Sequence, residues 1–501
     1  MESVTVITEP LLHPDFVQFE IVVPILERLR DRYDLTLAAP SVAPPVRERL
    51  EARGIRVADG GAHFPPLRRP RDEIPSYVGS WMRDALWGWN RRGIERALSG
   101  TAGIRINASM TTAIDADAWV IQSRPLGMAL DAMRHGVNGG LLRGAVTAAA
   151  PVVGPLDEHH LLEAGRRART RYATTQHVAR WFSSRGLPIE GVLPMYYRPT
   201  IHPTTVNPSR DTVLVYVGKE TDSAALRLLL ETGLPVTMFG SKSVGWVMRA
   251  LQLHKYPHAR LLGYVTDEQL SELYSNARFT AFPFTEEPFG LIPLESMACG
   301  TPILTYGIQG PAESVIDGRT GWLVRSPQEF ARRAVELWNA GVPAASMVAD
   351  CRRRARAYHI DSVGSGWNVL FQNAVARSGA YVKSHPSSHS LSSWIDRLPP
   401  ASSRPSSSAS TAPAREFLAR PSPDVAPGSS GGASGPAPFG RSGGFPAPPE
   451  PSVGEWPSLV ESSPLGDRSL ALELDPLESP PGRGGSSLPR VTADSPSTAT
   501  S

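Results

Sequence analysis

Two glutamates, Glu287 and Glu295, stand eight positions apart in the stretch FPFTEEPFGLIPLESMACGTPIL. The residues around them predict where each carboxylate falls. FTAFPF reads as a buried strand that ends near Phe284. Thr285–Gly290 is acidic, contains Pro and Gly, and reads as a turn. Leu291–Ala298 reads as a helix, stopped by Gly300 and Pro302. Glu287 then lies just before the helix, and Glu295 about one turn into it. The N–H groups at such a helix start, together with the helix dipole, form an anion site. A carboxylate nearby can accept hydrogen bonds from ligand hydroxyls. Phosphate on amides and hydroxyls on carboxylates would suit a nucleotide sugar. Taken alone, the pair also suits two solvated carboxylates at a helix start, where acidic residues are favoured.

A site of this kind needs a strand to deliver it, and the chain alternates strands with helices. In the first series, Ser3–Thr8, Asp34–Pro40, Ile55–Ala58, Arg105–Ser109 and Ala118–Ser123 read as strands. Phe16–Arg30 and Val46–Arg53 read as helices between them. The second series starts at Thr212–Gly218 and continues through Pro235–Gly240, Ala259–Val265, Phe279–Phe284, Pro302–Tyr306 and Gly321–Val324. Its helices are Ser223–Glu231, Thr266–Tyr274, Pro327–Trp338, Ala345–Tyr358 and Asp361–Arg377. The join is the proline-rich, polar run near Arg198–Pro208. Such a pattern predicts an α/β fold with two doubly wound parallel sheets and a cleft between them.

Composition sets the limits. The chain has 501 residues, with 48 Pro and 44 Gly. Residues 386–501 hold 21 of those prolines together with long Ser, Gly and Ala tracts. Large apolar residues are too sparse there to offset chain entropy, so a disordered tail is expected, able to recruit protein partners. The domain expectation is 1–205, 206–380 and the tail 386–501, with the last helix of the second domain crossing back to the first. A net charge of +3 carries no footprint of a nucleic-acid binder. Two cysteines, Cys299 and Cys351, exclude a disulfide framework and a Cys-based zinc site. Neither a leader segment nor a membrane span is legible, which points to a cytoplasmic protein. Val78, Trp81, Met82, Ala85, Leu86 and Trp89 recur at helical spacing among arginines. An ordinary core helix is the first reading of that stretch, and peripheral contact with the inner face of a membrane is the second. Asp115 and Asp117 spell D-x-D, which is expected to be a strand-edge turn rather than a metal site.

The spacing Glu287-x7-Glu295 within EPFGLIPLESMACGTPIL resembles the E-x7-E signature of retaining GT-B glycosyltransferases, above all glycosyltransferase family 4 (glycosyl transferases group 1). LLGYVTDEQLSELYSNARFTAFPF is similar to the segment before that signature, and IDGRTGWLV to the one after it. ATTQHVARWFSSRGLPIEGVLPMYYRP resembles the end of the family's first domain. The resemblance implies a GT-B fold of two Rossmann-like domains and a glycosyltransferase using a nucleotide-sugar donor. It implies that Glu287 contacts the transferred sugar, that Glu295 holds the ribose hydroxyls, and that the amides of Phe289, Gly290 and Leu291 face the sugar and diphosphate. Lys219, after Gly218, matches the phosphate-binding base, and Val265 lies beside the nucleobase. A carbohydrate or lipid-linked acceptor is implied, with no cofactor and no metal. The family's second lysine is absent after Lys219, with Lys242 as the substitute. Its glycine-rich first loop is absent too, and Glu20 stands near the glutamate that follows it. His13, His159 and His160 are the candidates for a first-domain histidine. A degenerate scaffold, an epimerase and a phosphorylase are the alternatives for the same fold.

Overall fold

The computed structural model describes residues 1–11, 17–62, 91–110, 112–125, 140–204, 207–218, 221–240 and 251–379. The Trp- and Arg-rich stretch, His13, Lys219, Lys242 and the tail lie outside the described residues.

The first half carries β1 (Glu2–Ile7), α1 (Val17–Leu29), β2 (Tyr33–Ala39), α2 (Pro44–Glu51), β3 (Arg56–Asp59), α3 (Arg91–Ser99), β4 (Ile104–Asn107) and β5 (Ala116–Ile121). It continues through α4 (Gly140–Arg167), β6 (Ala168–Ala173), α5 (Gln176–Ser183) and β7 (Gly191–Val192). All seven strands run parallel, in the order β3-β2-β1-β4-β5-β6-β7. Sequence reading missed β6, ARTRYA. Its arginines hide a strand whose Thr170, Tyr172 and Ala173 are buried. Asp115 stands just before β5 and pairs with Arg167 (3.1 Å), while Asp117 lies within β5, its carboxylate on the Arg105 amide and beside Arg169, so that it ties β5 to β4 and β6.

The second half carries β8 (Thr212–Tyr216), α6 (Ser223–Glu231), β9 (Val236–Phe239), β10 (Ala259–Leu261), α7 (Asp267–Asn276), β11 (Ala277–Phe282) and α8 (Leu291–Ala298). After them come β12 (Ile303–Tyr306), α9 (Pro311–Ser314), β13 (Gly321–Val324), α10 (Pro327–Asn339) and α11 (Ala345–Arg356). This sheet is also parallel, ordered β10-β9-β8-β11-β12-β13. Its helices start where the sequence supplies caps. Asp222 accepts from the amides of Ala224 and Ala225, and Thr266 with Gln269 closes a capping box. The strands β9, β11 and β12 are buried on both faces, as a sheet covered by helices requires, and only the edge strand β10 exposes a charged residue, Arg260, among these four.

The last helix, α12 (Ile360–Gly379), follows the second half in sequence but packs on the first sheet. Ile360, Val363, Trp367, Leu370 and Phe371 share a core with Val4, Val22, Leu26 and Tyr33. Burial of Trp367 and Phe371 alone is worth about 1.5–3 kcal/mol each. An exposed ion pair of Arg28 with Asp361 (2.5 Å) joins α1 to the start of the helix. Beside it the two crossings between the halves touch, as Tyr197 N donates to Tyr358 O (3.4 Å).

Candidate functional site

In the second sheet the chain turns one way from β8 and the other way from β11. The carboxyl ends of these two neighbours form the switch point at which open α/β sheets bind ligands. The loops after them meet there. Thr221 bridges Phe284, and Asp222 N donates to Pro283 O (2.6 Å). Gly218 sits at the end of β8, where a Cβ would come 2.7 Å from the Tyr216 ring and 3.2 Å from the Phe284 ring. The structure therefore brings Gly218 and the glutamate loop together.

The loop itself is braced. Glu287 N donates to Gln309 Oε1 (3.0 Å), and Glu287 O accepts from Gly310 N (3.0 Å). Gly310 must be glycine, because a Cβ would lie 2.1 Å from Pro288 O. Gly290 caps α8 with φ 94°, in the left-handed region, and a Cβ there would lie 2.6 Å from Pro311 Cγ. Glu287 Oε1 accepts from Phe289 N (3.2 Å) and Gly290 N (2.9 Å). Two of the three amides expected to face a ligand thus donate to the loop's own carboxylate. The physical reason is local: a carboxylate just before a helix start is the nearest anion for those N–H groups. Leu291 opens α8, half-buried. Val265 is half-buried beside Leu270 and Tyr274.

Glu295 departs further from expectation. It lies in the second turn of α8 and is 1% exposed. Arg198 grips it with both prongs, Nε to Oε1 (2.7 Å) and Nη2 to Oε2 (3.1 Å). Tyr274 OH adds a third hydrogen bond, to Oε2 (3.1 Å). Arg198 Nη1 also donates to Asp267 Oδ1. Burial works against the Arg198 charge, but Glu295 and then Asp267 outweigh it, and its pKa rises above the ordinary arginine value. The carboxylate expected to meet ribose is an ion-paired, buried group here.

Residues 210–357 match the profile of the family described as "Glycosyl transferases group 1". The second half is a glycosyl transferases group 1 domain. The chain is also similar to curated relatives. It is 31% identical over 123 residues to D-inositol 3-phosphate glycosyltransferase of Streptomyces avermitilis, which is 24% of this chain and 26% of that protein. It is 34% identical over 139 residues to glycogen synthase of Mycobacterium tuberculosis, 27% of this chain and 32% of that one. The chain thus matches about a quarter to a third of these relatives' length. The fold as a whole is similar to sucrose-phosphate synthase from Thermosynechococcus elongatus, with TM-score 0.51 and 15% identity over 75% of this chain and all of that one. Its class is GT-B.

The first half reaches the group 1 domain through residues that sequence reading passed over. Arg124, after β5, pairs with Glu286 (3.3 Å), so loops at the carboxyl ends of both sheets meet. Arg124 also contacts the ring of His177. Burial, then the charges of Arg124 and Arg180, push His177 down to about 3, which keeps it neutral. Thr175 Oγ1 donates to Pro288 O (2.9 Å). Glu313 of α9 accepts from the amides of Gln176 (2.9 Å) and His177 (2.6 Å), the exposed donors at the start of α5. Burial raises the Glu313 pKa against those two hydrogen bonds. The one local signal was Thr175 as an N-cap. Of the expected histidines, His159 is exposed on α4 and His160 is its neighbour. Glu20 lies in α1. Among the described residues no group of three or more His, Cys, Asp or Glu could hold a metal, and no helix is long and apolar enough to cross a membrane.

Proposed function

We propose that this chain is a retaining glycosyltransferase, moving a sugar from a UDP- or GDP-sugar to a glycan, lipid-linked or other carbohydrate acceptor without a metal. One observation carries the reading: Gly218, the Glu287 loop and the start of α8 meet at the switch point of a group 1 domain, with Glu295 one turn further along that helix. The names of the curated relatives, a D-inositol 3-phosphate glycosyltransferase and a glycogen synthase, support it.

In this reading Glu287 binds hydroxyls of the transferred sugar. Donor binding exchanges the bonds of Phe289 and Gly290 to Glu287 for bonds to the donor, and Leu291 adds its amide. Glu295 holds the ribose, Val265 lies beside the base, and Lys219 and the α8 dipole stabilise the leaving diphosphate. The bond between the anomeric carbon and the phosphate oxygen breaks as the acceptor oxygen bonds to the same face. The acceptor proton passes to the leaving phosphate, so no protein nucleophile is needed. The protein contributes positioning and electrostatics.

The test is a panel of common nucleotide sugars, read out as released nucleoside diphosphate, with Glu287→Ala as control. Turnover of one donor that the substitution abolishes is the expected result. Failure of every donor to bind or turn over overturns the reading. The internal saturation of Glu295 and of the Phe289 and Gly290 amides favours one second reading, a degenerate scaffold whose tail recruits partners. Nucleotide binding without turnover, with a tail-dependent pull-down, would identify it. Mass spectrometry of products separates a transferase from an epimerase or phosphorylase.

A further inference from the structure

The fork of Arg198 and a ribose diol make the same demand on Glu295. A carboxylate offers about four lone-pair positions on two oxygens. Arg198 takes one on each oxygen, and Tyr274 takes a second on Oε2. Vicinal hydroxyls need an acceptor on each oxygen, and the buried carboxylate has no open face to give them. Both cannot be held at once.

We propose that Arg198 is an internal competitor for the donor's ribose, and that Asp267 is the seat that receives the guanidinium when the ribose takes Glu295. The inference rests on the reading of Glu295 as the ribose-holding carboxylate. Asp267 fits the second role on three grounds. It already accepts from Arg198 Nη1 through Oδ1. Its other oxygen accepts from Thr200 Oγ1 (2.5 Å), which holds the carboxylate in place. And the side chains of Arg198 and Asp267 are 30% and 31% exposed, against 1% for Glu295, so the guanidinium has room to shift toward Asp267 on the open side. Removing Arg198 from a buried carboxylate is costly unless another donor replaces it, and the ribose hydroxyls are that replacement. Donor affinity is then set by a difference between two sets of hydrogen bonds, not by the ribose contacts alone.

The test titrates the full-length protein by calorimetry with UDP, GDP and ADP, each against its 2′,3′-dideoxy counterpart. Wild type, Arg198→Lys and Asp267→Asn are compared, with circular dichroism to confirm folding. Wild type should favour the ribose form by no more than about threefold. Arg198→Lys replaces the fork with a point charge that leaves one Glu295 oxygen open, and should tighten the ribose form about tenfold with the dideoxy form unchanged. Asp267→Asn weakens the receiving seat, and should loosen the ribose form about threefold, again with the dideoxy form unchanged. The opposite signs matter, because a merely structural role would move both variants, and both nucleotide forms, the same way. A strong ribose preference in wild type, weaker ribose binding by Arg198→Lys, or parallel shifts in the two forms each overturns the competitor. If Arg198→Lys does not fold, the sign of Asp267→Asn decides. Absence of binding to all six nucleotides by all three proteins overturns the donor reading itself, and this inference with it.

Discussion

Glu287 has two duties in the reading above, and two substitutions separate them. Glu287→Gln keeps a carbonyl oxygen where Oε1 stands, so the amides of Phe289 (3.2 Å) and Gly290 (2.9 Å) keep their acceptor. What it loses is a negative charge at the start of α8, worth about 0.3–1 kcal/mol. Glu287→Ala removes the acceptor as well. Phe289 and Gly290 are buried, so two N–H groups lose their partner at about 1–3 kcal/mol each before relaxation, and about 2–3 kcal/mol in total is expected. Chemistry should rank the variants differently. A charge-assisted hydrogen bond to a sugar hydroxyl is worth about 1.5–3 kcal/mol, so Glu287→Gln should lower kcat/KM by about 10- to 150-fold while costing under about 1 kcal/mol of stability. The assay is urea unfolding beside steady-state release of nucleoside diphosphate from the donor that supports turnover. If Glu287→Gln keeps kcat/KM within about twofold of the parent, the carboxylate serves only to brace its own loop, and the catalytic assignment fails.

Gly290→Ala should cost about 3 kcal/mol, from left-handed backbone strain plus a Cβ placed 2.6 Å from Pro311 Cγ, read as a fall in urea midpoint. His177 titrates at about 6.5 when unfolded and near 3 when folded, so between those values the unfolded chain binds the extra proton and stability is lost as the pH is lowered. Between pH 7 and pH 5 that loss is at most about 2 kcal/mol, and His177→Asn should remove it; equal pH slopes for the two proteins would refute the assignment. Glu313, whose raised pKa acts in the opposite sense, is common to both proteins and cancels. Glu313→Ala deprives Gln176 and His177 of their acceptor, and hydrogen exchange at these two amides should accelerate while exchange in α10 stays unchanged.

What the sequence made legible was whatever repeats or caps locally. Ser223–Glu231 and Leu291–Ala298 could be bounded from their own residues, since Asp222 caps one and Gly290 opens the other. β6 could not, since Arg169 and Arg171 break its apolar pattern, and it follows α4 without a turn residue. α4 itself carries Pro151 and Pro155, which read as breaks. The site divides along the same line. The Glu287 loop lay in one contiguous motif. Arg198 sat in a run that reads as a linker, 97 positions from Glu295, and no local pattern connects them. Arg124, His177 and Glu313 likewise come together only through the fold, and pairings across the halves carry no periodic signature.

The placement of α12 has a consequence for how this chain is made. The core of the first sheet is unfinished until Trp367 and Phe371 arrive. Synthesis runs at about 5–20 residues per second, and about 170 residues separate position 205 from Phe371, so the first half waits roughly 10–30 s with an apolar socket uncovered. During that interval the second sheet, whose strands are contiguous in sequence, can form alone. The N-terminal half is therefore the later one to mature. A fragment ending near residue 205 should aggregate, and supplying residues 358–379 in trans should be what rescues it.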